Sequence, residues 1–324
     1  MENNKNLNVL KKNENIEHIK FTRQTKIVII IFFILYLIFK YNIKQSKTKI
    51  ISNDLKFEYC NYQRELITER IRNNAGWELS GNQPYFINGI IRKFKPRKCL
   101  EIGVSRGGSS ILILNSIKDI KNSFLISLDI NNNYYKNQSF EVGYKVKNFP
   151  ELLHKWKLLT GKQPHQFLEK LNIKFDFLFL DTSHSAPGEI INMIEALPFL
   201  EEKAIIVLHD ITYHFSKKIK IHPSNIYLFT TLVGDKIFIQ NKEIGIENIG
   251  AIFLSPNQYK YYKNYFLLLF SPWQNCPKEK YLKELEHFIS KYYKKRIFIY
   301  LFKKSIEINK LYLKNLQNNI NKIN

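Results

Sequence analysis

Acidic and imidazole side chains end several apolar segments of this 324-residue chain. Asp129 ends "SFLISLD", Asp181 ends "FDFLFLD", and His209 with Asp210 ends "AIIVLHD". An unpaired carboxylate in an apolar core is costly, so these endings indicate a functional site rather than core packing. Carboxylates and imidazoles that lie together can move protons as general acid and base, or they can bind a divalent cation.

A glycine-rich turn follows another apolar segment, in "KCLEIGVSRGGSS" at 98–110. The segment ends at Glu101, and Gly103, Gly107 and Gly108 follow it closely. Such glycines let the backbone take a positive φ or let a ligand lie against it. Their order is neither the G-x-G-x-x-G of nicotinamide-dinucleotide sites nor a G-x-x-x-x-G-K-[ST] phosphate loop. The turn is therefore not of a kind that cradles a pyrophosphate.

Bringing these endings together requires a parallel sheet. From Lys98 onward, near-continuous apolar segments alternate with helical patterns near 108–119, 164–172 and 187–200, which predicts a parallel sheet covered on both faces. The later segments "SNIYLFTTL", "DKIFIQ" and "NIGAIFL" also read as strands, and the last two predict an antiparallel edge hairpin. We therefore expect a doubly wound, mostly parallel α/β sheet, whose ligands bind at the carboxyl ends of the strands.

The parts of the chain outside this sheet carry different patterns. Residues 1–26 are polar and are predicted to be disordered, and 44–75 reads as a linker and a helix. Residues 27–43 include "IVIIIFFILYLIF", whose 13 uncharged residues span roughly 20 Å as a helix, against a hydrocarbon core of ~30 Å. With snorkelling lysines at its ends, 27–43 is predicted to be a transmembrane or membrane-anchor helix. Residues 256–324 are predicted to be a helical C-terminal extension, and "PWQNCP" within it a packed turn.

The charge of the chain is strongly positive, with 50 Lys and Arg against 28 Asp and Glu, a formal net charge of +22. Such a charge can favour nucleic acid or anionic membrane. The lysines are dispersed, however, and the sequence contains no motif of a known nucleic-acid-binding domain, so nucleic-acid binding is not expected. The three cysteines lack the spacing of a disulfide framework or a structural zinc site.

Two stretches resemble class I S-adenosylmethionine (SAM)-dependent methyltransferases. "EIGVSRG" has the acid-x-Gly-x-x-x-Gly pattern of that class, and "FDFLFLDTSHSAPGEIINMIEALPFLEEKAIIVLHDI" at 175–211 is similar to the distal half of a methyltransferase-24-type domain. The resemblance covers roughly 76–255. It implies a Rossmann-like, seven-stranded sheet, SAM as the cofactor, and a relationship to the cephalosporin hydroxylase and the macrocin and catechol O-methyltransferase types.

The resemblance implies a cofactor site in the glycine turn and the next strand end. The residues that it places there are Glu101, Gly103, Ser105, Gly107, Gly108, Ser109 and Asp129. Glu101 would hold the polar network of the site, through the ammonium of the cofactor, and Asp129 would accept hydrogen bonds from the ribose hydroxyls. Trp77 could cover the site. Where relatives often have Gly-Asp-Ser, this chain has "GKQ" at 161–163, so no binding role passes to Lys162.

Two mechanisms are open for the reaction end of the site. In related O-methyltransferases, Mg²⁺ is held at the ends of the fourth and fifth strands, which implies Asp181, His209 and Asp210 as ligands. Mg²⁺ prefers oxygen ligands, and the nitrogen of His209 would shift the preference toward Mn²⁺, Fe²⁺ or Zn²⁺. Without a metal, His184 or His209 would act as the general base, oriented by Asp181 or Asp210. We expect His184, His209 and Asp210 to be the catalytic residues.

The resulting hypothesis is a membrane-anchored, SAM-dependent O-methyltransferase acting on a sugar, a surface glycan, a lipid-linked sugar or another small hydroxyl acceptor. Because SAM is cytosolic, the catalytic domain would face the cytoplasm. One alternative is a catalytically inactive, membrane-tethered module that binds SAM or serves as a scaffold. Another is an RNA methyltransferase, for which nucleic-acid binding would depend strongly on salt. The sequence carries no signal about oligomeric state.

Overall fold

A computed structural model describes residues 54–213, 223–239 and 248–320 of the chain. Within these ranges, seven strands form a single sheet in the order β3-β2-β1-β4-β5-β7-β6. The strands are β1 (Lys98–Ile102), β2 (Phe124–Asp129), β3 (Trp156–Thr160), β4 (Phe175–Leu180), β5 (Leu200–His209), β6 (Gly234–Phe238) and β7 (Ile249–Leu254). The first five strands are parallel, and β7 runs antiparallel to both β5 and β6. The predicted seven-stranded, mostly parallel, Rossmann-like sheet with an antiparallel edge hairpin is confirmed.

Helices connect the strands and flank the sheet. In the described residues they are α1 (Asp54–Asn61), α2 (Glu69–Asn74), α3 (Gln83–Phe94), α4 (Gly108–Ile117), α5 (Pro164–Leu171), α6 (Gly188–Ala196), α7 (Asn225–Thr231), α8 (Tyr262–Leu267), α9 (Glu279–Tyr293) and α10 (Arg296–Ile320). The helices predicted near 108–119, 164–172 and 187–200 correspond to α4, α5 and α6, which begin and end within a few residues of the predicted limits.

The prediction of a strand in "SNIYLFTTL" is wrong, because these residues form α7. The aromatic and β-branched side chains of the segment favoured a strand by composition. Its buried residues, however, include Asn225, Leu228 and Phe229, whose spacing of three and four places them on one side of a helix. Tertiary packing of that apolar side therefore decides the local structure.

The sheet separates two apolar layers, as its strands predict. In β4, Phe177 and Phe179 pack into the layer that contains Ile87 of α3, whereas Leu178 and Leu180 pack into the opposite layer. This alternation follows the two-residue period of a strand. The opposite layer also receives side chains from α6, α8, α9 and α10, so the C-terminal helices cover one face of the sheet.

The strand order brings the predicted site residues to one edge. The sheet runs from β1 toward β2 and β3 on one side and toward β4 and β5 on the other. At such a reversal the loops after neighbouring strands diverge and leave a crevice at the carboxyl ends. The glycine turn after β1 and the acids after β2, β4 and β5 all border this crevice.

The predicted membrane-anchored location requires correction. Among the described residues, no helix is long and apolar enough to cross a membrane. The segment 27–43, from which the anchor was predicted, lies outside the described residues, as does the predicted disordered segment 1–26.

Candidate active site

The glycine turn packs closely against its neighbours. Gly103 has a φ of +92°, and a Cβ atom placed on it would lie 1.7 Å from the carbonyl oxygen of Asp181. A Cβ on Gly108 would lie 2.4 Å from Cα of Trp77, and one on Gly107 would lie 2.6 Å from Cγ2 of Val146. The small residues therefore let three separate segments of the chain approach the turn. Gly103 and Gly108 are also among the residues that border the central cavity.

Glu101 lies behind the turn and is fully buried. Its carboxylate accepts hydrogen bonds from the hydroxyl groups of Ser109 at 2.6 Å, Ser110 at 2.5 Å and Ser127 at 2.6 Å. Burial raises the pKa of Glu101 to about 7, against the lowering effect of the three hydroxyl donors. Glu101 thus ties β1 to β2 and to the first turn of α4, and it is not among the described residues that line the cavity.

Asp129, at the end of β2, holds the turn in place. Its Oδ2 accepts hydrogen bonds from the backbone N–H groups of Val104 at 3.0 Å and Ser105 at 3.3 Å, and its Oδ1 accepts one from the N–H of Asn131 at 2.9 Å. A carboxylate has about four lone-pair sites, so Asp129 retains acceptor capacity toward the cavity that it lines.

A cavity of about 630 Å³ opens at this edge of the sheet. Its lining combines the glycine turn, the ends of β2 and β4, the loop before α6, and two flanking segments. From the predicted cofactor and reaction residues it includes Gly103, Ser105, Gly108, Ser109, Asp129, Asp181 and His184. One cavity is therefore lined both by residues expected to bind the cofactor and by two of the residues expected at the reaction site, Asp181 and His184.

The reaction end is a compact cluster of two carboxylates and two imidazoles. Nδ1 of His184 lies 2.9 Å from Oδ2 of Asp210 and 3.7 Å from Oδ1 of Asp181. Nδ1 of His209 lies 3.3 Å from Oδ2 of Asp181 and 3.3 Å from Oδ2 of Asp210. Both Nδ1 atoms are buried, and neither makes a hydrogen bond of acceptable geometry to any described residue. Two imidazole nitrogens therefore lie within ion-pair distance of two carboxylates without a well-aligned hydrogen bond to either.

The cluster shifts the pKa values of His184, His209 and Asp210. Burial lowers the pKa of His184, but the carboxylates of Asp210 and Glu189 outweigh burial and raise it to about 11. Burial also lowers the pKa of His209, but the charges of Asp181 and Asp210 outweigh burial and raise this pKa to about 10. For Asp210, the two imidazoles outweigh burial and hold its pKa well below the usual range. Strongly perturbed groups beside a cavity are typical of functional sites.

The backbone of the cluster is held in an uncommon conformation. His184 has a φ of +57° and Asp210 a φ of +55°, both in the left-handed region. Such residues cost on the order of 1 kcal/mol or more and persist where their surroundings hold them. The carboxylate of Glu189 accepts a hydrogen bond from the N–H of His184, and the amide of Asn248 donates to Asp210. These partners fix where the two side chains point.

The potential metal ligands that lie together in the structure differ by one residue from the set predicted from the sequence. Asp181, His184 and Asp210 each offer a ligand atom, and these atoms lie within 4.8 Å of one another. The predicted set was Asp181, His209 and Asp210. His209 lies beside the group rather than within it, and the residue is 6 % exposed.

Several residues that border the site carried no local signal in the sequence. Asn275, Cys276 and Pro277 line the cavity, although "PWQNCP" was predicted to be a packed turn, and Tyr281 of α9 lines it as well. Gln83 of α3, which accepts a hydrogen bond from His209, is 126 residues away in sequence. Trp77, which could either cover the site or simply pack beside it, lines the cavity.

Comparison with known proteins identifies the central part of the chain. Residues 100–211 match the family described as "Methyltransferase domain". No curated protein matches the chain. Among solved structures, the similar proteins include a putative O-methyltransferase from Klebsiella pneumoniae and the O-methyltransferase TomG from Streptomyces achromogenes. The first has 16% identity, a TM-score of 0.45 and coverage of 63% of this chain and 96% of the other. The second, solved with SAM, has 14% identity, a TM-score of 0.42 and coverage of 67% and 96%.

The family match coincides with the elements that carry the site. It begins in β1, before the glycine turn, and ends directly after Asp210. It therefore contains the turn, Asp129, Asp181 and the histidines of the cluster, and it confirms the class that the two sequence stretches resembled. Residues 100–211 form a methyltransferase domain.

Proposed function

We propose that this chain transfers the methyl group of SAM to a hydroxyl oxygen of a small molecule. The observation that carries the proposal is the shared cavity, which is lined both by the glycine turn with Asp129 and by Asp181 with His184. When bound, SAM supplies an activated methyl group. The protein must then hold the acceptor hydroxyl in line with that methyl group, which is mainly a matter of positioning.

The cofactor would lie along the β1 and β2 ends of the cavity. Asp129 lines this region and retains acceptor capacity, and ribose hydroxyls are suitable donors to it. Gly103, Ser105 and Ser109 border the same region. Glu101 would support the glycine turn from behind rather than contact the cofactor, because its carboxylate accepts hydrogen bonds from three serine hydroxyls.

The acceptor hydroxyl would lie at the β4 and β5 ends, where its proton must be removed or its charge stabilised. The Nδ1 atoms of His184 and His209 lie beside two carboxylates without a well-aligned hydrogen bond, and a divalent cation could take the place of a proton there. Asp181, His184 and Asp210 would hold it, with His209 adjacent. A nitrogen donor beside two oxygen donors suits Mn²⁺, Fe²⁺ or Zn²⁺ better than Mg²⁺. Such a cation would lower the pKa of the acceptor hydroxyl as a Lewis acid.

The test is calorimetric titration of the full-length chain with SAM. The informative variant is Asp129→Asn, which keeps the shape of the side chain and removes its charge, and the matched control is Asp235→Asn on the exposed side of β6. We expect wild type and Asp235→Asn to bind SAM alike, and Asp129→Asn to bind about tenfold or more weakly, because hydrogen bonds to a charged group are the strong ones.

The outcomes separate the parts of the proposal. Equal SAM binding by Asp129→Asn and wild type would remove Asp129 from the cofactor site. Absence of SAM binding by wild type would overturn the proposed function. Transfer of a labelled methyl group to a panel of small phenols and sugars, measured with and without Mn²⁺, then tests the acceptor class and the use of a metal.

A further inference from the structure

Gln83 contacts the reaction cluster from outside the matched domain. It is the first residue of α3 and is 3 % exposed. Its Oε1 lies 3.2 Å from Nε2 of His209. Since α3 precedes β1, this contact links an N-terminal helix to the end of β5.

The orientation of the Gln83 amide is determined by a second contact. The backbone N–H of Ser80 donates a hydrogen bond to the same Oε1 at 2.9 Å. A backbone N–H can only donate, so the atom that faces it must be the amide oxygen. The amide therefore presents an acceptor, and not its NH₂ group, to His209.

This orientation decides which nitrogen of His209 carries a proton. Because Gln83 Oε1 can only accept, Nε2 of His209 must be protonated to bond with it. In the neutral imidazole, Nδ1 then carries the lone pair. That Nδ1 lies 3.3 Å from a carboxylate oxygen of Asp181 and 3.3 Å from one of Asp210, and it has no hydrogen-bond partner among the described residues. A lone pair facing two anions is unfavourable, so this Nδ1 binds either a proton or, in place of the proton, a divalent cation.

We infer that Gln83 is a positioning residue that holds His209 in the Nε2–H tautomer, so that Nδ1 of His209 serves as an additional ligand to the divalent cation of the proposed function. The inference rests on that proposed function. It adds Gln83, which belongs to no sequence motif and lies outside the matched range 100–211. Hydrogen bonds from the second nitrogen of a ligating histidine orient the ring, and their loss typically weakens metal binding about 10- to 100-fold.

The experiment measures Mn²⁺ affinity of the full-length chain by electron paramagnetic resonance, without turnover. Gln83→Met keeps the length of the side chain and removes the acceptor, whereas Gln83→Glu retains an acceptor oxygen. Gln258→Met is the matched control, because Gln258 is also buried and makes its hydrogen bonds to Val233, Ser255 and Tyr265, away from the cluster. SAM affinity is measured on every variant.

We expect Gln83→Met to bind Mn²⁺ about 10- to 100-fold more weakly, with SAM affinity unchanged. Gln83→Glu should recover most of the loss, and Gln258→Met should show none. Equal Mn²⁺ affinity of Gln83→Met and wild type would overturn the inference. If wild type binds SAM but no Mn²⁺, Fe²⁺ or Zn²⁺, the cation is absent and the inference falls with it. If wild type binds neither SAM nor metal, the proposed function itself fails.

A second measurement needs no substitution at Gln83. In the Zn²⁺-loaded wild type, the ¹⁵N signals of the His209 ring are identified by their loss in His209→Gln. We expect a protonated Nε2 and a metal-bound Nδ1. A ring that is protonated at Nδ1, or bound to the metal through Nε2, would overturn the inference even if Gln83→Met does not fold.

Discussion

The buried carboxylate behind the glycine turn makes a specific prediction about stability and pH. Glu101 is fully buried, and its pKa in the folded chain is about 7, against an ordinary value of 4.5. The folded state therefore binds a proton at Glu101 more tightly than the unfolded state does. By linkage, the stabilising contribution is fully present below pH 4.5 and is lost as the pH rises through about 7.

The size of the effect follows from the two pKa values. With these values, the contribution of Glu101 to the free energy of unfolding falls by about 2.5 kcal/mol between roughly pH 5 and pH 8. Gln cannot ionise, so Glu101→Gln should lack this pH dependence while retaining an acceptor for some of the serine hydroxyls. The other groups of the chain titrate alike in both proteins and cancel in the difference.

The assay is urea unfolding of wild type and Glu101→Gln at a series of pH values across this range. Glu202→Gln is the control, because it removes the same charge from an exposed position on β5. The free energy of wild type minus that of Glu101→Gln should fall steadily as the pH rises. Parallel curves for the two proteins, or a difference that grows with pH, would refute the reasoning.

Two further predictions concern the packing of the turn and access to the cavity. Gly103→Ala should destabilise the chain by well over 2 kcal/mol in thermal unfolding, because its Cβ would meet the carbonyl oxygen of Asp181 at 1.7 Å. Gly81→Ala, at a φ of +52° with no described atom within 4 Å of its Cβ, should cost about 1 kcal/mol, and equal losses would refute the steric argument. Cys276, the exposed cysteine that lines the cavity, should react with N-ethylmaleimide, and saturating SAM should slow that reaction severalfold. Labelling that persists in Cys276→Ser, or that SAM leaves unchanged, would contradict its placement.

Much of the fold could be predicted because each central strand contains a near-continuous apolar run. The apolar parts of β1, β2, β4 and β5 are buried, which is the pattern of a parallel sheet covered by helices on both faces. The prediction for 225–231 was wrong because the composition of this segment suits a strand. In the structure it is a helix, with Leu228 and Phe229 on one buried side. Local preference is weaker than tertiary packing in a segment of that length.

The site could be predicted in part for a related reason. Strand endings are visible in sequence, and the strand order brings the endings of β1, β2, β4 and β5 to one edge, so Asp181, His209 and Asp210 do meet. The orientation of the imidazoles was not visible, because it depends on partners such as Gln83 and Asn248 on distant elements. An amide side chain has no characteristic spacing, so only the folded arrangement identifies it.

The walls of the cavity bear on how an acceptor is selected. The matched range 100–211 supplies the turn and the acids, whereas Trp77 closes one side of the cavity and Asn275 and Tyr281 close another. Tyr281 is anchored, since its hydroxyl donates to Glu195 at 3.1 Å, and Glu195 also contacts His165 at 2.6 Å in the buried space between α5 and α6. A wall held by a buried polar network keeps its shape when a ligand enters. Cofactor binding would then follow from the domain that this chain shares with other methyltransferases, and the choice of acceptor from the flanking segments that lie outside it.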